Sequence, residues 1–113
     1  MSEVLFSIAR HFSPNPGPRL AKQGAHSGEA LRRKLVRILE STQSTVLVDL
    51  DGTRGIGSSF LDEAFGGLIR TERKSRDDIL KRLKFQSRID PSYIETILDS
   101  INRASAEQQS SVH

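Results

Sequence analysis

The chain has 113 residues, enough for one domain with a single modest hydrophobic core. It has no cysteine, which excludes disulfides, thiolate metal sites and thiol catalysis. The three histidines share no close helical spacing, so we predict neither a metal site nor a cofactor. The net charge of +3 is mild, and it permits contact with nucleic acid without arguing for it. No apolar run could cross a bilayer and no leader pattern is visible, so the sequence predicts a cytoplasmic protein without membrane contact.

The first part of the chain alternates in hydropathy and then breaks. Val4, Phe6 and Ile8 alternate with their neighbours, which predicts a strand. The segment 12–18 contains three prolines and a glycine, so regular structure is not expected to continue through it. Residues 19–22 could form a short second strand that pairs back on the first.

A helix is predicted after the loop 24–29. Ser27 is a suitable N-cap, and Glu29 adds negative charge to the first turn and can pair with Arg33 one turn later. One face is apolar: Leu31, Leu35, Ile38 and Leu39. We interpret the basic residues as a solvated surface, although they could meet the phosphates of a nucleic acid: Arg32, Arg33, Lys34 and Arg37.

The stretch 45–71 organises the rest of the chain. Its start is a β-branched apolar run that ends at Asp51-Gly52, as expected of a buried central strand followed by a turn. The loop that follows is rich in glycine. A helix then begins near Ser58, with its apolar residues at helical spacing: Phe60, Leu61, Ala64, Phe65, Leu68 and Ile69.

The last third predicts a short helix, a half-buried edge strand and a final helix. Ser75 is the expected N-cap of the short helix, the strand covers 83–86, and Asp90-Pro91 begins the final helix. The fold class is therefore α/β, with a mixed sheet of about four strands covered by three to four helices. We expect one domain over 1–104 and a polar, disordered tail over 105–113.

One motif offers an enzymatic interpretation. Asp49-Leu50-Asp51-Gly52-Thr53 after an apolar strand resembles the first motif of haloacid dehalogenase-like phosphohydrolases. The resemblance implies Mg²⁺-dependent phosphate hydrolysis, with Asp49 as nucleophile and Asp51 as general acid. The downstream chain is too short for that catalytic core, and no later acidic pair follows a strand. The preferred interpretation is therefore that both aspartates shape a turn.

Three further segments carry a second resemblance. The order is Phe-Ser-x-x-Pro-Gly-x-Arg, then Ser-Gly-Glu, then Ser-Ser-Phe-Leu-Asp-Glu, at residues 12–19, 27–29 and 58–63. This order resembles the STAS-like domains of unknown function, a divergent branch of the STAS family of anti-sigma-factor antagonists. The match extends to about Leu98. It implies a STAS-like fold and a non-enzymatic, regulatory module that binds a protein.

The resemblance also implies how such a module is switched. In the antagonists, a serine of this segment is phosphorylated by a partner kinase that is also an anti-sigma factor, and phosphorylation blocks their interaction. By that analogy Ser58 or Ser59 is the phosphoacceptor, and a histidine-kinase-like ATPase is the partner. The predicted partner-binding residues are Gly55, Gly57, Ser58, Ser59, Phe60, Asp62 and Glu63. The alternative is that a serine only caps the helix, with Ser59 and Asp62 approximating a capping box.

A last candidate is the polar set around the first predicted helix. Arg19, His26, Ser27 and Gly28 could bind an anion near its N-terminus. The ordinary alternative is a surface loop held by an ion pair between Arg19 and Glu29.

Overall fold

The computed structural model describes residues 2–110. Their sheet has three parallel strands. The strands are β1 (Glu3–Ser7), β2 (Thr45–Asp49) and β3 (Leu83–Gln86), and β2 lies between the other two. The predicted central strand and edge strand are confirmed. Within the described residues the sheet is parallel and has three strands, so the expectation of a mixed sheet of about four is wrong.

The missing strand is explained by the backbone of residues 18–29. The segment 19–22 leads into a 3₁₀ turn (Ala21–Gln23) and does not pair with β1. The carbonyl groups of Pro18 and Arg19 accept hydrogen bonds from the next helix instead. Pro18 accepts from the amide of Gly28, and Arg19 accepts from the amide of Glu29. The first strand also ends earlier than its alternation predicts, since Ile8 begins a short helix, α1 (Ile8–His11).

The remaining helices follow the predicted order. They are α2 (Gly28–Ser41), α3 (Ser58–Leu61), α4 (Gly67–Arg70), α5 (Arg76–Arg82) and α6 (Ser92–Ser110). A π-helical turn (Asp62–Gly66) joins α3 to α4, with helical dihedrals at both junctions. We call the continuous segment 58–70 the central helix.

The helices pack against one face of the sheet. The two crossovers run in the same direction across it, and right-handed crossovers then place their helices on the same side. Val46 and Val48 of β2 are fully buried on that side. The predicted apolar stripe of the central helix is confirmed, since its six residues are at most 1% exposed. On the opposite face Leu5 is 51% exposed.

The last helix runs further than the sequence indicates. It continues to Ser110, through most of the segment expected to be a tail, while residues 111–113 lie outside the described part. Ala104 is fully buried, and the side-chain amide of Gln108 donates to the carbonyl of Ile69 at 3.3 Å. These contacts hold the end of α6 on the central helix. The division at residue 104 stays a prediction. Among residues 2–110, no helix has the length and apolar character needed to span a membrane.

Candidate functional site

The loop from Leu50 to Gly57 connects the carboxyl end of β2 to the central helix and is fixed on two sides. Gly52 has a φ of +91°, and a Cβ on it would lie 3.2 Å from that of Ala9. The amide of Arg54 donates to the carbonyl of Pro14 at 2.9 Å. On the other side, the carboxylate of Asp51 accepts from the backbone that follows β3. These contacts hold the loop on both sides, and we call residues 50–57 the platform.

The two aspartates of the phosphohydrolase-like motif act within this platform. Asp49 accepts from the amide of Asp51 at 3.0 Å, while Asp51 accepts from the amides of Arg88 and Ile89 at 2.9 and 3.0 Å. The bonds from Ile89 and Arg88 lower the pKa of Asp51. Both carboxylates thus have the turn-shaping role that the sequence favoured. In the described part of the chain, no three His, Asp or Glu side chains are grouped to hold a metal. Phosphate hydrolysis stays a prediction that no observation favours.

The two serines at the start of the central helix are not caps. Gly57 is the N-cap residue, with φ −86° and ψ 155°, and it has no side chain to bond the helix. Ser58 and Ser59 are the first two helical residues, and both are exposed. Neither hydroxyl has a hydrogen-bond partner within residues 2–110. The capping interpretation, including the capping box of Ser59 and Asp62, is therefore wrong.

Phe60 differs from its neighbours because its side chain is only 1% exposed. Its ring centroid lies 6.3 Å from that of Phe12, which in turn has the ring of His26 at 5.7 Å. These contacts fix the proline-rich segment 12–18 beside the start of the central helix. Phe60 is therefore a core residue. It can support an interface at this place, but its side chain is not free to contact a partner.

Asp62 and Glu63 form the centre of a charge network between distant parts of the chain. Asp62 pairs with Arg19 and, at 2.9 Å, with Arg70. Glu63 pairs with Arg19 at 3.0 Å and with Arg32, and Arg32 reaches Glu72 at 2.9 Å. We refer to these six residues as the arginine–carboxylate network. They are Arg19, Arg32, Asp62, Glu63, Arg70 and Glu72.

The network shifts the pKa of two of its members, Asp62 and Arg19. Burial opposes ionisation of Asp62, but the hydrogen bonds from Arg70 and Arg19 outweigh it, so its pKa is lowered. The hydrogen bond to Asp62 is also the main reason that the pKa of Arg19 is raised. Both groups therefore stay charged, and each neutralises the other. This matters for the serines, since an acidic pair one turn away would otherwise repel a phosphate.

Two interpretations of the basic residues are corrected by this network. The expected pair of Arg19 with Glu29 does not form, because Glu29 accepts from the amide of Ala21 at 2.9 Å and pairs with Arg33 at 2.7 Å. Arg32 is not part of a solvated face, since it is only 5% exposed. Sequence periodicity could not show this, because the partners of Arg32 lie 31 and 40 residues away.

The residues expected to bind an anion have other roles in this structure. The hydroxyl of Ser27 caps α2 by accepting from the amide of Ala30 at 3.0 Å, as predicted. Gly28 lies against the central helix, where a Cβ would meet the carbonyl oxygen of Phe60 at 2.5 Å. Arg19 is neutralised by the network, and His26 is exposed beside Phe12. Anion binding stays a prediction that this arrangement does not favour.

The comparison with protein families decides what this arrangement belongs to. The family model of the STAS-like domain of unknown function (DUF4325) matches residues 27–92, more than half of the chain. This chain belongs to that family. The STAS-like match begins at the N-cap of α2, includes the platform and the central helix, and ends at the first residue of α6. Neither the curated proteins nor the solved structures gave a match.

Part of the STAS-like site was not found from sequence. The predicted set contains Arg19, Asp62 and Glu63, which the structure brings together, but it lacks Arg32, Arg70 and Glu72. One signal was present in the pattern itself, because Arg19 and the Asp-Glu pair belong to the same set of matching segments.

Proposed function

We propose that this STAS-like domain is a non-enzymatic, cytoplasmic regulatory module that binds a partner protein through the loop and helix start at residues 55–65. Phosphorylation of Ser58 or Ser59 switches that interaction. The kinase is an ATPase of the histidine-kinase-like type that acts on serine, as in the anti-sigma-factor antagonists that the domain resembles.

The observation that carries this proposal is the state of the two serines. Both hydroxyls are exposed and have no bond within residues 2–110, and the N-cap residue before them is a glycine. A phosphoryl group there would be placed at the positive end of the helix dipole. Charge-assisted bonds to the first amides of the helix would stabilise it.

The surroundings support the same role. The nearby carboxylates of Asp62 and Glu63 are paired with arginines, which reduces their repulsion of a phosphate. The platform before the helix holds its shape through backbone hydrogen bonds, so a partner would meet a preformed surface. No specific observation favours a second function, and none is proposed.

Incubation with ATP, Mg²⁺ and the candidate kinase tests the switch. We expect the intact mass to increase by one phosphate and peptide mapping to place it on Ser58 or Ser59. The variants Ser58→Ala and Ser59→Ala identify which serine accepts it, and the double variant should incorporate none.

Ser92→Ala is the matched control, because Ser92 also begins a helix and is exposed, but its hydroxyl is bonded to Asp90. This variant should be phosphorylated as the parent chain is. Full incorporation in the double variant, or no incorporation by a kinase that is active on a generic serine substrate, would contradict the proposal.

A further inference from the structure

Three exposed arginines lie at the carboxyl edge of the sheet, each after a different strand. Arg10 follows β1, Arg54 follows β2 and Arg88 follows β3. Because the three strands are parallel and adjacent, their carboxyl ends meet at one edge. We call these residues the edge arginines.

Backbone contacts to the Leu50–Gly57 loop keep the three segments together. Gly52 approaches Ala9, the neighbour of Arg10, and the amide of Arg88 donates to the carboxylate of Asp51 at 2.9 Å. Arg54 is in the loop itself, and its amide is bonded to Pro14. The edge arginines therefore belong to one fixed surface, which continues into Ser58 and Ser59.

The guanidinium groups of the edge arginines are unused within residues 2–110. None of them has a hydrogen bond or a salt bridge there, although Arg88 is near enough to Asp51 to help lower its pKa. In contrast, seven of the other nine arginines bond carboxylates, carbonyls or an amide: Arg19, Arg32, Arg33, Arg70, Arg76, Arg82 and Arg103. Free guanidinium groups are thus concentrated at this edge.

An exposed apolar side chain lies next to Arg88. Ile89, next to Arg88, is 83% exposed, more than either of the other large exposed apolar residues in the described chain. The amide of Ile89 is fixed by Asp51 at 3.0 Å, so the residue is held outward on an ordered backbone. Isolated exposed apolar residues are common, but an isoleucine at the same edge as three arginines without bonds in the described chain is a suitable centre for a small protein contact.

The nature of the partner follows from the charge balance. Three aspartates accompany the edge arginines, and each accepts backbone or hydroxyl hydrogen bonds: Asp49, Asp51 and Asp90. The edge is therefore not a strongly positive field of the kind that attracts a polyanion. In addition, none of the six aromatic side chains is exposed to stack on a base. Local pairing with individual carboxylates is what this surface offers.

We propose that the edge arginines and Ile89 are part of the partner interface, and that the partner presents Asp or Glu side chains around an apolar residue. This rests on the proposed function, because it names the chemistry of the partner at the same loop. It also gives a reason for the switch. A phosphoryl group on Ser58 or Ser59 is a dianion in the segment that carries Arg54, where it competes with the carboxylates of the partner.

The test is an NMR titration of the ¹⁵N-labelled full chain with a short synthetic peptide of Glu and Leu residues. We expect amide shifts at residue 10, at 52–59 and at 88–90. Arg54→Gln and Arg88→Gln should each weaken binding by about two- to fivefold, the range of an exposed ion pair. Arg37→Gln is the matched control, since Arg37 is also exposed and unpaired within the described residues but lies on α2. It should bind like the parent chain.

Several results would overturn this interface. They are the absence of shifts at this edge, an equal loss of affinity in Arg37→Gln, equal binding of a matching Lys and Leu peptide, and tighter binding of a single-stranded oligonucleotide. The interface and the serine switch can therefore fail separately, because one is measured by peptide affinity and the other by phosphate incorporation.

Discussion

Gly28 shows how one residue without a side chain sets the distance between two helices. It is buried at the start of α2, and a Cβ there would lie 2.5 Å from the carbonyl oxygen of Phe60 and 3.0 Å from the Cβ of Glu63. Both neighbours belong to the central helix. Phe60 directly follows the two serines, and Glu63 is one of the two acidic residues. The Ser-Gly-Glu segment is therefore explained by packing, and it needs no bound anion.

Gly28→Ala should destabilise the domain by about 2–3 kcal/mol, as expected when a methyl group is forced into a closely packed site. The helical preference for alanine, at most about 1 kcal/mol, does not offset this. Urea unfolding measures the difference. Gly17→Ala is the control, because its Cβ would meet the nearest atom at an ordinary 3.4 Å. It should change the free energy of unfolding by less than about 0.5 kcal/mol.

At the scale of elements, the central helix and its π-helical turn hold the arginine–carboxylate network in place. The turn begins with Asp62 and ends with Gly66, and Gly67, the first residue of α4, follows directly. A Cβ on Gly66 would lie 2.9 Å from the guanidinium of Arg70, and one on Gly67 would lie 2.9 Å from the Cδ of Arg32. The glycines therefore leave the space in which these two arginines cross the helix surface.

The sequence predicted much of this element and missed its main feature. The spacing of its apolar residues predicted the helix and the buried face, because both follow from local periodicity. The network depends on Arg32 of α2 and on Arg19 of the segment before it, which no local pattern reports. The alternative that a serine caps the helix fails on a local detail, since Gly57 has the cap conformation.

Two neighbouring arginines on α2 allow a sharp test of the network. Arg32→Leu removes a buried charge and leaves Glu63 and Glu72 without one of their partners, so we expect a loss of about 2–4 kcal/mol in the free energy of unfolding. Arg33→Leu removes a more exposed pair with Glu29 and should cost less than about 0.5 kcal/mol. Equal losses in the two variants would show that the network is not specific.

Across the chain as a whole, the three parallel strands place the loops that follow β1, β2 and β3 at one edge of the sheet. The sheet order was only partly predictable, because the strand expected at 19–22 pairs with nothing in the sheet. Its backbone is instead bonded to the first residues of α2. The choice between those two partners is made by tertiary contacts, in particular the pairing of Arg19 with the central helix.

The network also predicts how the stability of the molecule depends on pH. The pKa of Asp62 is lower in the folded chain than the usual value near 4, so the charged form stabilises the fold. This contribution is present above the unfolded pKa and is lost as pH falls through the folded pKa. Urea unfolding of Asp62→Asn between pH 7 and pH 3 should therefore show lower stability at pH 7 and a shallower loss in acid than the parent chain. Parallel curves would contradict this role.

We propose that the surface around the helix start binds a partner and is controlled by its serines. The most direct measurement compares the intact mass and the mapped phosphate of two fractions from the natural host, one bound to a protein partner and one free. We predict a phosphate on Ser58 or Ser59 in the free fraction and its absence from the bound fraction. Identical modification of both fractions, or a phosphate confined to another residue, would contradict the claim.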